Sequence, residues 1–249
     1  MPGAAPGFML PRMPPLAHSA AAPALTTAFT PGAPPREGPF ALVGDRLWLD
    51  FANTDDTRRP TSPSDAARRV DLLRDFDLFV EWLETTGVLD AERASGIRRR
   101  AAQQPAGAAA ALVEARRVRA ALRTLAERGV QSPKVRADAL TEINRILGRS
   151  TGTRRLEERL DGSYARTFVT GGDAFAGLLL AVVDSAADSL IDGELARVRR
   201  CSDPRCPRVF LDTTKNGRRR WCDMATCGNR AKAARHRRRH RAESKGASA

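Results

Sequence analysis

The four cysteines of this 249-residue chain follow the spacing C-x4-C-x15-C-x4-C, as Cys201, Cys206, Cys222 and Cys227. Two close pairs separated by a segment long enough to fold back are what a tetrahedral four-thiolate site requires: each pair offers two ligands from one tight turn. The intervening "PRVFLDTTKNGRRRW" suits that task. Val209 to Asp212 can form a strand, Asn216-Gly217 is a favourable two-residue turn, and Arg218 to Trp221 can return as the second strand. Phe210 and Trp221 are the apolar residues available to cover so small a core. After Cys227, "GNRAKAARHRRRHRAES" is rich in helix formers, so the expected order is knuckle, hairpin, knuckle, helix.

Other thiol chemistry fits less well. Disulfides are disfavoured because the cysteines are clustered rather than spread over the fold as in secreted scaffolds. Nearby arginines would lower a thiol's pKa and permit a redox role, and an iron–sulfur cluster also uses four cysteines. The hairpin between tight pairs suits zinc better. His236 and His240 stand four apart, as in a Cys2His2 finger, but the gap from Cys227 to His236 is shorter than the roughly twelve residues of that class. One structural Zn2+ on four cysteines is the reading that follows, and its formal charge with four thiolates is negative. The arginines around it and the amino end of the next helix would stabilise that charge.

Charge sets this segment apart from the rest. From residue 197 onward there are 17 Lys and Arg against 4 Asp and Glu, while the preceding residues hold 25 of each, so the whole net charge of +13 lies at one end. A GC-rich genome could favour arginine over lysine, but it would not place a neutral body next to a basic end; this asymmetry marks a polyanion-binding segment. Ten apolar residues at 174–183 are too few for a membrane span of about 20. The amino-terminal stretch lacks the basic start and apolar run of a secretion signal. A cytoplasmic protein is expected.

Before the cysteines, residues 1–39 are rich in Ala and Pro without a period and are expected to be disordered. "FALVGDRLWLDFANT" at 40–54 reads as two short strands around Gly44-Asp45, through Phe40, Leu42, Leu47, Leu49 and Phe51. Helices follow: one with Leu72, Leu73, Phe76, Phe79, Val80 and Leu83 ending at Gly87, then "DAERASGIRRRAAQQ". The next has the stripe Leu112, Val113, Val118, Leu122 and Leu125 and stops at Gly129. A shorter one runs through Leu140, Ile143 and Leu147. "TRRLEERLDGSYARTFVT" alternates about Asp161-Gly162 as a hairpin, and "GDAFAGLLLAVVDSAADSLIDG" reads as a buried helix. The expected fold class is α+β: a mainly helical domain over 40–196 with a small antiparallel sheet, then a finger over 197–241 and a disordered tail at 242–249.

No phosphate loop, H-E-x-x-H or nucleophile elbow occurs, and the three histidines are His18, His236 and His240. Asp50 and Asn53 of "LDFANT" either have a functional role or cap a turn, the usual work of such residues there. Asp55-Asp56 and Glu157-Glu158 read as surface charge. A non-enzymatic protein is expected.

"CDMATCGNRAKAARHRRRH", preceded by "FLDTTKNGRRRW", resembles the CGNR zinc finger, named for the Cys-Gly-Asn-Arg at Cys227 to Arg230. "ALVGDRLWLDFANT", "DLFVEWLETTG" and "LTEINRIL" resemble the ABATE domain that precedes this finger in its family. The resemblance covers about residues 40–241. It implies a treble-clef finger with Cys201, Cys206, Cys222 and Cys227 as ligands, a mainly helical amino-terminal domain, and a stress-related bacterial transcription regulator.

Arg218, Arg219, Arg220, Arg230, Lys232, Arg235, Arg237, Arg238, Arg239 and Arg241 are candidates for phosphate contacts. If five engage, log K against log salt should fall with a slope of about −4.5. Asn229 and Arg230, near the helix start, are candidates to read bases as well, although Asn229 also suits a helix cap. Duplex DNA is the expected partner, because Phe210 and Trp221 are read as core and leave no aromatic platform for single strands. The body would then sense a small-molecule or protein ligand or form a homodimer. The alternative is a zinc adaptor for RNA or protein.

Overall fold

The computed structural model describes residues 24–26, 40–55, 71–127, 133–149, 152–158, 164–170 and 175–246. The body is built around a short helix, α1 (Leu47–Ala52), whose six residues are all buried. The sequence pattern suggested a strand here. Alternation assumes one wet face, and this segment has none: Leu47, Trp48, Leu49, Phe51 and Ala52 all lie in one apolar core. The bend before it is where expected, with Asp45 at φ 61°.

Further helices follow, α2 (Phe76–Thr85), α3 (Ala91–Gln103), α4 (Pro105–Ala126), α5 (Pro133–Arg149) and α6 (Leu180–Ile191): α4 and α6 pack on α1, α3 packs on α2 and α4, and α5 packs on α4 and α6. The starts of α2 and α3 are fixed by capping aspartates: Asp75 accepts from the Leu78 N–H at 2.8 Å and Asp90 from the Arg93 N–H at 2.8 Å. Leu72 and Leu73 therefore precede α2 rather than lie in it. Gly87, at φ 75°, ends α2 in a left-handed conformation that suits glycine. Phe51 sits 4.9 Å from Trp82 and 6.2 Å from Phe79 between ring centroids, so α1 and α2 share an aromatic centre.

The stripes on the longer helices need correction in detail. Val113 of α4 is 63% exposed, and the buried face runs instead through Ala115, Val118, Leu122 and Leu125. On α5, Ala139, Ile143 and Ile146 are buried while Leu140 lies at the surface. The predicted stop at Gly129 and the predicted hairpin turn at Asp161-Gly162 lie outside the described residues, as does Asp56. The hairpin itself is present: β2 (Gly152–Glu158) pairs antiparallel with β3 (Tyr164–Thr170), Gly152 opposite Thr170. Within the leader, β1 (Ala24–Thr26) pairs antiparallel with β3, and the other residues of 1–39 lie outside the described set.

The last part has β4 (Val198–Arg200) paired antiparallel with β5 (Val209–Leu211), and α7 (Asn229–Gly246) after a π-turn at Met224–Gly228. Strand β5 is shared by two cores. Val209 and Leu211 belong to the body's apolar core, whereas Phe210 points the other way, into the cysteine cluster. Among the described residues, no helix is long and apolar enough to cross a membrane.

Candidate metal centre and its basic surroundings

The hairpin that carries the first cysteine pair differs from the expected one. Its strands flank Cys201–Cys206 instead of spanning the gap between the pairs, with Arg200 opposite Val209. The returning segment, Arg218–Trp221, forms no strand because its backbone finds other partners. The Arg219 N–H donates to the buried Asp212 carboxylate at 3.0 Å, and the Arg220 carbonyl accepts from Ser202 N–H at 2.8 Å. Asp212 also accepts from Arg199 Nε at 3.1 Å and from the Thr214 N–H at 3.1 Å, so one carboxylate gathers three segments of the module. Gly217, at φ 59°, makes the turn.

Two tight turns then bring the thiols together. Cys201 N–H donates to Arg208 O at 2.9 Å and Cys206 N–H to Asp203 O at 2.9 Å, closing the first knuckle. In the second, Asp223 accepts from the N–H groups of Ala225 and Thr226 at 3.1 and 3.0 Å. All four Sγ atoms lie within 4.8 Å of one another. Cys206 to Cys222 and Cys222 to Cys227 are each 3.7 Å. A tetrahedron with Zn–S bonds of about 2.3 Å has edges of about 3.8 Å, so the cluster already has the dimensions of a zinc site.

Proton chemistry leads to the same ion. Hydrogen bonds from Cys206 and then Cys222 pull the Cys201 thiol far below its usual pKa, while the bond to Cys201 pushes Cys206 up to about 12 and Cys222 higher still. Four thiols this close cannot all ionise on their own; a dication removes that limit and binds the thiolates. The chain has one structural zinc site, formed by Cys201, Cys206, Cys222 and Cys227. With all four positions taken by sulfur, the metal has no open position for a substrate, which suits a structural role. His236 and His240 are exposed on α7, with Nε2 atoms 3.1 Å from each other, and do not join the cluster.

The basic residues around the cluster divide into two groups. Arg230 donates from Nη2 to Cys227 Sγ at 3.0 Å and pairs through Nε with the buried Asp203 at 3.1 Å, so its charge faces the metal site. Arg219 is a rivet: it pairs with Asp45, donates to the carbonyls of Trp221 and Cys222, and covers the Phe210 ring at 4.4 Å. Asn229 donates from Nδ2 to Ala225 O at 3.0 Å, bracing the helix start. Arg218, Arg220, Lys232, Arg235, Arg237, Arg238 and Arg239 are instead exposed, and Arg241 follows them on the same helix. Trp221, read as core, is only half-buried, while Phe210 is fully buried.

Residues that the spacing did not single out join the module to the body. Asn53 donates from Nδ2 to Val209 O at 2.8 Å and accepts from Val209 N–H at 2.9 Å, making a two-bond clamp on β5. Arg123, 1% exposed on α4, donates to the Pro207 carbonyl next to Cys206 and reaches Asn53 Oδ1 at 3.4 Å. Leu211 N–H donates to Gly44 O at 2.9 Å. The Asp50 carboxylate holds this same loop by accepting from Gly44 N–H at 2.7 Å. Burial pushes that carboxyl up to about 7. Asn53 and Asp50 thus work on backbone, as turn residues do, but Asn53 reaches 156 positions along the chain rather than its own turn. A polar pair inside the otherwise apolar "LWLDFANT" was the one available signal.

Comparison with known families places the two halves. Residues 45–193 match the ABATE family, described as a "putative stress-induced transcription regulator", and residues 197–240 match the CGNR zinc finger. No curated protein matches the chain.

Proposed function

We propose that this chain, which belongs to the ABATE family and ends in a CGNR zinc finger, is a transcription regulator whose finger binds duplex DNA. The observation that carries the reading is α7. It extends 18 residues, about 27 Å, and from residue 230 to 245 it carries eight Lys and Arg against one Glu. From Ala231 to His240 its side chains are exposed apart from the half-buried Ala231 and Ala234. A helix this polar on every side has no apolar face to bury, and it is justified by a partner or by solvent alone. A B-DNA major groove accepts a single helix and presents phosphates on both walls, so arginines on opposite faces each find one.

Because Arg219 and Arg230 are engaged within the module, phosphate contact falls to Arg218, Arg220, Lys232, Arg235, Arg237, Arg238 and Arg239. Zinc supports these by fixing where α7 starts; the treble-clef assignment rests on that order of knuckle, strand, knuckle and helix. The body supplies binding or dimerisation rather than catalysis. A dimer would double the short site that one finger covers.

The test is selection of zinc-loaded full-length protein against random duplex DNA near physiological salt with RNA competitor. Enrichment of a motif, lost in Cys222→Ser, supports the reading. Preferential capture by RNA, or retention that is equal for all sequences, contradicts a sequence-specific regulator of duplex DNA.

A further inference from the structure

A groove of about 460 Å³ opens on the finger, lined by Thr214, Lys215, Arg218, Arg220, Trp221 and Met224 among others. Its floor and its rim differ in chemistry. The Trp221 ring and the Met224 side chain, 51% exposed, form an apolar floor on a surface otherwise dominated by charge. Lys215, Arg218 and Arg220 supply the rim, and no acidic residue lines the groove. A planar cation already uses the floor: the Arg220 guanidinium lies 5.2 Å from the centre of the Trp221 ring.

We infer that this groove binds one unpaired nucleotide of a DNA strand, with its base against Trp221 and Met224 and its phosphates on Arg218, Arg220 and Lys215. The inference rests on the nucleic-acid reading of the finger and adds a second contact beside α7. A planar base has the shape and apolar faces that the floor accepts, and a nucleotide is the common biological group that joins such a face to an anion. Other anions, such as carboxylates, would satisfy the rim and leave the floor uncovered. The nucleotide is taken as a deoxynucleotide because the inference rests on the DNA reading of the finger. Thr214, the one hydroxyl of the lining, already donates to Asp212 at 2.5 Å, and Asn216, which also lines the groove, is the neutral group that a 2′-oxygen would meet, which the U4 titration tests. The end of the Met224 side chain lies directly over Gly228, where a Cβ would meet its Sδ at 2.7 Å.

Intrinsic fluorescence of the zinc-loaded full chain, titrated with the tetranucleotide dT4, reads the groove directly. Trp48 and Trp82 are 1% and 0% exposed in the body, so quenching by a short strand reports Trp221. Saturable quenching is expected, weakened about tenfold by Arg218→Glu and by Met224→Asp, the scale of one lost stacked base. Arg218 is a surface residue, so its variant tests the groove even if Met224→Asp disturbs the packing over Gly228. Duplex DNA binding without dT4 quenching would overturn the groove while leaving the duplex reading intact. Tighter quenching by U4 than by dT4 would overturn the assignment to DNA. Failure of duplex, dT4 and U4 alike would remove both readings together.

Discussion

Residues 76–126 of the body bury Phe79, Val80, Trp82, Leu83, Val118, Leu122 and Leu125 against α1, whereas the stretch from Cys201 to Cys227 fully buries one large apolar side chain on the cluster's side, Phe210. The body is held by area removed from water and would keep its shape without a ligand. The finger has too little apolar surface for that, so its order depends on a metal that binds only when four thiolates converge. The two are nevertheless one structure, because β5 turns Val209 and Leu211 to the first core and Phe210 to the second. A basic reading surface can therefore be hung on a rigid body without a large core of its own.

The comparison breaks most visibly if the metal ligand is removed. Cys222→Ser should abolish zinc binding, one ion per chain falling to none by metal analysis. It should cost the finger folding energy on the order of 10 kcal/mol, while far-ultraviolet circular dichroism keeps the signal of the body's helices. The converse cut is Trp82→Ala, which empties the aromatic centre around Phe51 and should destabilise the body by about 3–5 kcal/mol in denaturant unfolding, with zinc stoichiometry unchanged.

Cutting the junction should affect both halves. Asn53→Ala leaves the Val209 N–H and C=O without their partner, at a cost of about 2–4 kcal/mol. Zinc should also dissociate faster to a chelator, because β5 carries the first knuckle.

A further effect is on pH dependence. Burial raises the folded pKa of Asp50 to about 7, above the ordinary carboxylate value of 3.8, so the native state holds a proton that the unfolded chain releases. Its contribution is complete below about pH 4, declines as pH rises, and is gone above about pH 7. Asp50→Asn should flatten stability across that window in pH-resolved unfolding of the zinc-loaded protein.

Much of this was legible from spacing alone. The cysteine pattern specified the metal site, because tetrahedral coordination by two turns imposes a local spacing that a sequence displays directly. The helix that ends at Gly87 was equally readable from its apolar stripe, although its start was set too early, with Leu72 and Leu73 included, because the Asp75 cap was not recognised. What failed depended on distant partners. The strand assigned to Leu47–Ala52 became a helix because its polar neighbours, Asp50 included, are buried too, and periodicity says nothing when every side is covered. The second strand of the finger's hairpin was replaced by β4 because the Asp212 side chain occupies the backbone that would have paired. Arg219 and Arg230 looked like phosphate contacts by composition, yet each is committed to a carboxylate and to sulfur or carbonyl groups that only the fold brings near. Sequence gives an arginine's charge but not where that charge is used.

Native-state hydrogen exchange of the full chain, with and without a zinc chelator, tests most directly whether one half is held by metal and the other by apolar burial. The account predicts that chelation removes protection from 201–206 and 212–228, weakens it at Val209–Leu211, and leaves α2 and α4 protected at the level of the zinc-loaded protein. Loss of protection throughout the body in step with the finger, or a finger that stays protected without metal, would contradict it.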